Sequence, residues 1–298
     1  MSEIKFGNNS SSIKFGNNRK VIFYIAPGKL SDWRYSTADN GQITLYEYTA
    51  GDWANTVYIP TASGKTVINN YTSGTTTTAS NTPFYNNPNV ISVDLQNVPF
   101  VNNNMYQAFN NCQNLTSVTG INQNVTRMNY TFIFCRNLNQ NIQIPNSVTT
   151  MSSTFYGCTN LNQNIQIPNS VTTMTFIFSR CENLNQNIQI PNSVTNMVNT
   201  FSGCTNLQGT INILSNQVTQ AGACFYGTTK AKNVYIPFKY SNGVNSATFN
   251  SFVSAGYLYA NGVSNNQHGV TIHDLNNTGG NERDPGTNWD DDDEVGNY

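Results

Sequence analysis

The chain has 298 residues, with 14 Lys and Arg against 15 Asp and Glu, a formal net charge of −1, and only 10% charged residues. Asn alone fills 51 positions, more than all the charged side chains together. So sparse and even a charge lacks the basic footprint that nucleic acid or an anionic membrane requires, and the longest apolar run, Val21–Ala26, falls far short of the ~20 residues of a membrane span.

The chain opens with a duplication: Ile4-Lys5-Phe6-Gly7-Asn8-Asn9 recurs as Ile13-Lys14-Phe15-Gly16-Asn17-Asn18. Each copy reads as a short strand ending in a Gly-Asn turn, so residues 1–40 are expected to form a small β anchor. These I-K-F-G-N elements resemble N-terminal pieces of phage tail and other virion structural proteins. Met1–Gly7 shows neither the charged region nor the apolar stretch of a secretory signal, so export through that route is not expected. Gln42–Tyr48 through Val57-Tyr58-Ile59-Pro60 resembles the opening unit of arrays of the repeat named below. Residues 61–83, with Thr75-Thr76-Thr77-Thr78, read as a loop inserted into an early coil.

The array is expected over residues 41–275. Cys112, Cys135, Cys158, Cys181 and Cys204 recur every 23 residues. Four full units start at Val125, Val148, Val171 and Val194 and share V-T-x-M-x-x-x-F-x-x-C-x-N-L. The first three continue N-Q-N-I-Q-I-P-N-S, whereas the fourth ends Gln208-Gly209-Thr210-Ile211-Asn212-Ile213. Looser units lie on either side, keeping Met105, Phe109, Cys112 and Leu115 before, and Val218, Phe225 and Val234-Tyr235-Ile236-Pro237 after; Cys224 falls outside the cysteine register. Within one unit, Ile142 and Ile144 alternate with Asn141 and Gln143, the period of a strand with one buried face. Pro145 cannot donate to a ladder and ends the strand, and Asn146-Ser147 supply a turn. The three- and four-residue spacings of Val148, Met151, Phe155 and Cys158 predict a short helical or 3₁₀ segment facing the strand. One unit cannot enclose a core, but stacked units can. Their strands are expected about 4.8 Å apart in one parallel sheet. From Asn276 the composition turns to Gly, Asn and Asp and closes on Asp290-Asp291-Asp292-Asp293-Glu294, so 276–298 is expected to be a polar acidic tail.

The 23-residue pattern resembles the BspA-like (Treponema-type) leucine-rich repeat, whose units run through I-x-I-P, a V-T-x-I-like step and A-F-x-x-C-x-x-L. This chain departs from it in using Met where Ile is common and in its abundance of Asn and Gln. The resemblance implies an α/β repeat fold, a right-handed leucine-rich-repeat solenoid with one parallel sheet, and an adhesion or interaction surface.

Candidate sites follow from the repeat. Equal spacing stacks Cys112, Cys135, Cys158, Cys181 and Cys204 as a ladder. No paired C-x-x-C supports zinc and five stacked residues cannot pair off evenly, so the ladder reads as buried packing. His268 and His273 beside Asp274 do not share a helical face, and the acidic run 290–294 lacks the alternating pattern of a calcium loop, so no metal or other cofactor is expected. Between Asp94 and Asp274 the sole carboxylate is Glu182, whereas glycoside hydrolysis needs two flanking the bond, so no catalytic residue is assigned. Arg127, Arg136 and Arg180 read as isolated positive points. Asn141, Gln143, Asn164, Gln166, Asn187 and Gln189 are expected to stand outward in two rows, either as amide ladders along the sheet or as an uncharged recognition surface for sugars or a polar protein face.

The resulting expectation is a non-enzymatic virion component of a bacterial virus: a fibre, a decoration protein or part of the tail-attachment apparatus. Its solenoid is displayed, and residues 1–28 and 276–298 hold it to other virion proteins. A host-surface glycan or protein is the expected partner, homo-oligomerisation is allowed, and neither nucleic acid nor membrane is expected. A cellular surface adhesin is the alternative, and a tailspike depolymerase the third reading.

Overall fold

The computed structural model describes residues 3–5, 12–14, 29–37, 39–40, 42–48, 56–60, 66–68, 83–231, 233–239, 245–259, 261–262, 264–265 and 270–275. The tail 276–298, the Thr75–Thr78 loop and His268 lie outside them.

The two duplicated segments pair with each other. β1 (Glu3–Lys5) and β2 (Ser12–Lys14) are antiparallel, with Ile4 opposite Ile13. β3 (Trp33–Thr37) then pairs antiparallel with β4 (Ile43–Tyr48), which pairs in parallel with β6 (Thr66–Ile68). β5 (Thr56–Tyr58), β7 (Ser92–Asp94) and β8 (Ser117–Thr119) form a parallel stack. A second parallel stack runs β9 (Ile188–Ile190), β10 (Ile211–Ile213), β11 (Val234–Ile236) and β12 (Ile272–Asp274).

The solenoid is therefore present, but its sheet is not continuous as the sequence suggested. No strand forms at 142–144 or 165–167, although Ile142 and Ile165 are buried as the alternation requires. Side-chain amides explain the gap. The Gln140 carbonyl oxygen accepts the Val118 N–H at 2.7 Å, a donor that would otherwise bond the next strand. The Asn139 and Asn162 side chains likewise accept the backbone N–H groups of Asn162 and Asn185 at 2.9 Å. Polar side chains that reach the backbone compete with regular ladders, and an N-Q-N triplet supplies three ahead of 142–144 and 165–167; the same triplet precedes β9, whose ladder runs to β10, where Gly209 stands in place of the Gln.

The opposite side of each coil also differs from expectation. It is not helical. Met128, Tyr130, Phe132 and Phe134 donate their N–H groups to Thr150, Ser152, Thr154 and Tyr156 of the next coil at 2.8–2.9 Å. The residues between them close turns within the coil, as in Thr131 N–H to the Met128 carbonyl at 3.2 Å and Cys135 N–H to the Phe132 carbonyl at 3.0 Å. A helix would spend every N–H inside its own coil. Alternating turns leave half of them for the neighbour, which holds the stack together where the sheet is interrupted. The geometry needs left-handed backbone twice per coil, for example at Tyr130 and Phe134, both at φ 59°.

One apolar spine fills the interior. The repeated Val, Met, Phe, Cys and Leu positions of the four full units are all buried. Phe84, Phe109, Phe132, Phe155, Phe178, Phe201 and Phe225 stack face to face, with centroids 4.9–5.8 Å apart and planes within 14°. Perpendicular rings close both ends. Trp33, inside the segment expected as the anchor, meets Phe84 at 6.0 Å and 85°. Tyr257 meets Phe225 at 5.8 Å and 86°, and its hydroxyl accepts the Phe225 N–H at 2.8 Å. Helix α1 (Ala247–Ser254), capped by the Ser246 hydroxyl, adds buried Phe249 and Phe252 to that end. Terminal caps of this kind cover apolar surface that would otherwise face water.

Candidate functional site

The six amides expected on the strand face, Asn141, Gln143, Asn164, Gln166, Asn187 and Gln189, are all exposed. They do not form ladders along the sheet. Gln143 Nε2 donates to Asn141 Oδ1 at 3.3 Å and Gln166 Nε2 to Asn164 Oδ1 at 2.8 Å, both within one coil. Asn187 Oδ1 instead accepts the backbone N–H of Thr210 at 2.8 Å. Without regular strands at 142–144 and 165–167, neighbouring rows are not held in the register that amide ladders require.

The continuous amide columns lie a few residues earlier, around the buried leucines. In the first, Asn137 Nδ2 donates to Asn114 Oδ1, Asn160 to Asn137 and Asn183 to Asn160, each at 3.3 Å, and Asn206 to Asn183 at 3.4 Å. Lys230 Nζ ends the column on Asn206 Oδ1 at 2.8 Å. In the second column the oxygens of Asn139, Asn162 and Asn185 accept the backbone N–H one coil ahead, at 2.7–2.9 Å. Gln163 and Gln186 add side-chain bonds to Asn139 and Asn162 at 3.2 and 2.9 Å. Leu138, Leu161 and Leu184 sit buried between the columns, which turns both flanking asparagines outward.

Between the columns runs an open groove of about 590 Å³, lined by Asn137, Asn139, Asn160, Asn162, Asn183, Asn185, Asn206 and Gln208. No charged side chain lines it. The second column commits its oxygens to backbone, which leaves the Nδ2 groups of these groove-lining residues as its donors, repeated about every 4.8 Å from coil to coil. The sequence carried a signal for this wall, since N-L-N around each buried leucine is the same period-2 alternation that singled out Asn141 and Gln143.

The five aligned cysteines are free and buried. Each Sγ donates to the carbonyl of the phenylalanine in the preceding coil, at 2.7 Å for Cys112 to Phe84 and 3.0 Å for Cys135, Cys158, Cys181 and Cys204. In the coil after Cys204 Thr228 takes this place, its hydroxyl bonding the Phe201 carbonyl at 2.6 Å, and the out-of-register Cys224 is buried as well. Burial pushes all six thiols up, Cys112 and Cys224 to about 12. An acid whose folded pKa lies above its unfolded value of 9.0 contributes stability that is complete below that value and lost as pH rises towards the folded pKa. Two outcomes are expected. A thiol reagent at neutral pH labels none of the six cysteines in the folded chain and all of them in denaturant. Melting temperature falls progressively above about pH 9, and a chain with serine at the six positions shows a smaller alkaline loss.

His273 stacks on Tyr235 at 4.9 Å, and Asp274 Oδ1 accepts the Phe238 N–H at 3.3 Å. Among the described residues no cluster of three His, Cys, Asp or Glu side chains could hold a metal ion.

Residues 81–166, 103–211 and 145–238 match, in three overlapping stretches that together exceed half of the chain, the family described as "Mycoplasma protein of unknown function, DUF285". The structure is similar to the T. pallidum leucine-rich repeat protein, with 20% identity and a TM-score of 0.53 over 78% of this chain and 96% of that one. Weaker likenesses are to a leucine-rich cell surface protein of Faecalibacterium prausnitzii (22% identity, TM-score 0.43, 64% of this chain, 54% of that one) and to a leucine-rich repeat protein of Bacteroides ovatus (18%, 0.35, 70% of each). The first likeness shows the fold, a leucine-rich-repeat solenoid. No curated protein matches the chain.

Proposed function

Because the chain belongs to the DUF285 family, whose description assigns no activity, we propose from its own geometry that it is a non-enzymatic recognition scaffold whose amide groove takes a neutral glycan. The observation that carries this reading is the groove between the two amide columns, continuous over four coils and lined by no charged side chain. Amides offer donors and acceptors without the large desolvation penalty of an ion. A groove along the stack presents one donor per coil, at a spacing close to the advance of an extended sugar chain.

Asn162→Asp tests the reading without removing the backbone support. The carboxylate still accepts the Asn185 N–H, whereas the donor facing the groove is lost and a charge is added. The variant is expected to keep its melting profile and to bind host-surface polysaccharide about tenfold or more weakly, the equivalent of one or more hydrogen bonds. Absence of polysaccharide binding by the parent chain, or equal binding by the variant, overturns it.

For location, we propose the exterior of a bacterial virus, with residues 1–28 and 276–298 contacting other virion proteins. Support comes from the duplicated Ile4–Asn9 and Ile13–Asn18 segments, whose strands pair as a hairpin. Purified particles carrying this chain in stoichiometric amount support that placement, and particles without it rule it out. The BspA-like repeat itself favours a second reading, a cellular surface adhesin, for which the chain would be found on intact cells in the absence of virus.

A further inference from the structure

The turn side of the solenoid carries an aromatic surface that the groove does not use. Tyr130, Phe134, Tyr156 and Phe176 are each half-buried on three adjacent coils. Phe134 meets Tyr156 at 5.4 Å and 82°, and Tyr156 meets Phe176 at 6.3 Å and 64°. The Arg180 guanidinium lies over the Tyr156 ring, 5.6 Å from its centroid, in cation–π range.

Backbone strain marks the same residues. Tyr130, Phe134, Phe176 and Arg180 have φ of 57–59°, the left-handed region. At the matching points of neighbouring units the chain uses Ser153, Gly157, Asn199 and Gly203. A Cβ is disfavoured in that conformation, and Ser153 and Asn199 share the strain at φ 55°. Glycine relieves it at 157 and 203, so Phe134 and Arg180 are kept at a point where glycine fits, which points to function rather than folding.

Charge names the occupant. From Leu95 to His273 the sequence carries six Lys and Arg against Glu182 alone, with Arg127 and Arg136 flanking Tyr130 and Phe134 in the chain. Residues 276–298 carry seven carboxylates against Arg283, and Trp289 immediately precedes the run Asp290–Glu294. An aromatic anchor followed by acids complements an aromatic surface edged by arginines, and Tyr, Trp and Arg are the residues that dominate binding energy at interfaces. Reach is sufficient. Residues 276–288, which join the last strand to Trp289, extend to roughly 45 Å, whereas the five coil steps from β12 back to the coil of Tyr130 amount to about 24 Å.

We propose that in the free protein Trp289–Glu294 docks on this surface of its own chain, with Trp289 against Tyr130, Phe134, Tyr156 and Phe176 and the carboxylates on Arg180 and its neighbours. A tether this short gives an effective concentration near millimolar, which favours the same molecule over a second copy. The inference stands independently of the glycan reading.

The test uses the full chain with Trp289→p-benzoylphenylalanine. Irradiation of dilute protein is expected to give cross-links at monomer mass to peptides containing Tyr130–Arg136 or Tyr156–Arg180, with yield reduced severalfold by high salt and by Arg180→Glu. In a separate measurement, Trp289→Ala is expected to speed hydrogen exchange over 130–136 and 176–180. Cross-links elsewhere on the chain, cross-links solely between two molecules, or none at all overturn the proposal, as does unchanged exchange.

Discussion

Phe155→Ala is expected to lower the unfolding free energy by about 3–5 kcal/mol, the range for deleting a buried aromatic ring. Phe155 is fully buried at the centre of the seven-ring stack, 5.6 Å from Phe132 and 5.8 Å from Phe178. Its removal forfeits two ring contacts and leaves a cavity that cannot collapse, because the coil above and the coil below are held apart by backbone bonds on both sides. Phe155 N–H bonds the Ile177 carbonyl at 3.0 Å and its own carbonyl accepts the Cys181 thiol. In a linear array each coil is stabilised chiefly by its two neighbours, so a defect in the middle weakens the coupling between the halves as well as the local packing. Thermal unfolding followed by circular dichroism should show a lower and broader transition than Phe84→Ala produces at the end of the stack. A change under about 1 kcal/mol would mean that the rings are not what couples the coils.

Gly209→Ala is expected to be nearly as damaging, although it adds a single methyl group. A Cβ at Gly209 would sit 2.5 Å from the Gln186 carbonyl carbon and 3.0 Å from the Asn187 nitrogen. Both are backbone atoms of the preceding coil and cannot rotate away. Relief requires the coils to part where β9 meets β10, at Ile188 opposite Ile211. Overpacking costs about 1–3 kcal/mol where side chains yield, and more where they cannot. Denaturant unfolding should give a loss of about 3 kcal/mol, with faster hydrogen exchange over 188–190 and 211–213. Earlier units hold Gln140, Gln163 and Gln186 at the matching position. Close backbone approach and regular strands thus return together at the unit that replaces Gln by Gly.

The solenoid was legible because its signal is global. A 23-residue period aligned across Val, Met, Phe, Cys and Leu leaves one way to bury all of them, and they are buried. What was not legible depends on competition between hydrogen bonds that a pattern of polarity cannot rank. The alternation of Ile142 and Ile144 correctly marked the inward face, yet the side-chain oxygen of Gln140 captures a ladder donor and the strand does not form. The spacing of Met151 and Phe155 fits a helix and also fits two successive turns, and the latter leave N–H groups for the next coil. The candidate groove lay one alternation away from the residues singled out, because Asn137 and Asn139 flank a leucine where Asn141 and Gln143 flank an isoleucine. Both pairs point outward, but the first alone meets continuous neighbours.

The five aligned thiols and most of the hydroxyls and amides inside this stack share a direction. Cys158 donates to Phe132, Thr154 to Met128, Ser193 to Val171 and Asn160 to Asn137, each towards the coil made earlier, whereas Thr175 and Asn196 donate forward to Asn196 and Gln220. A polypeptide leaving the ribosome therefore presents each new turn to a finished template whose acceptors are already exposed. Growth from the amino end becomes a zippering process, and lengthening the array by whole 23-residue units would preserve every junction it creates.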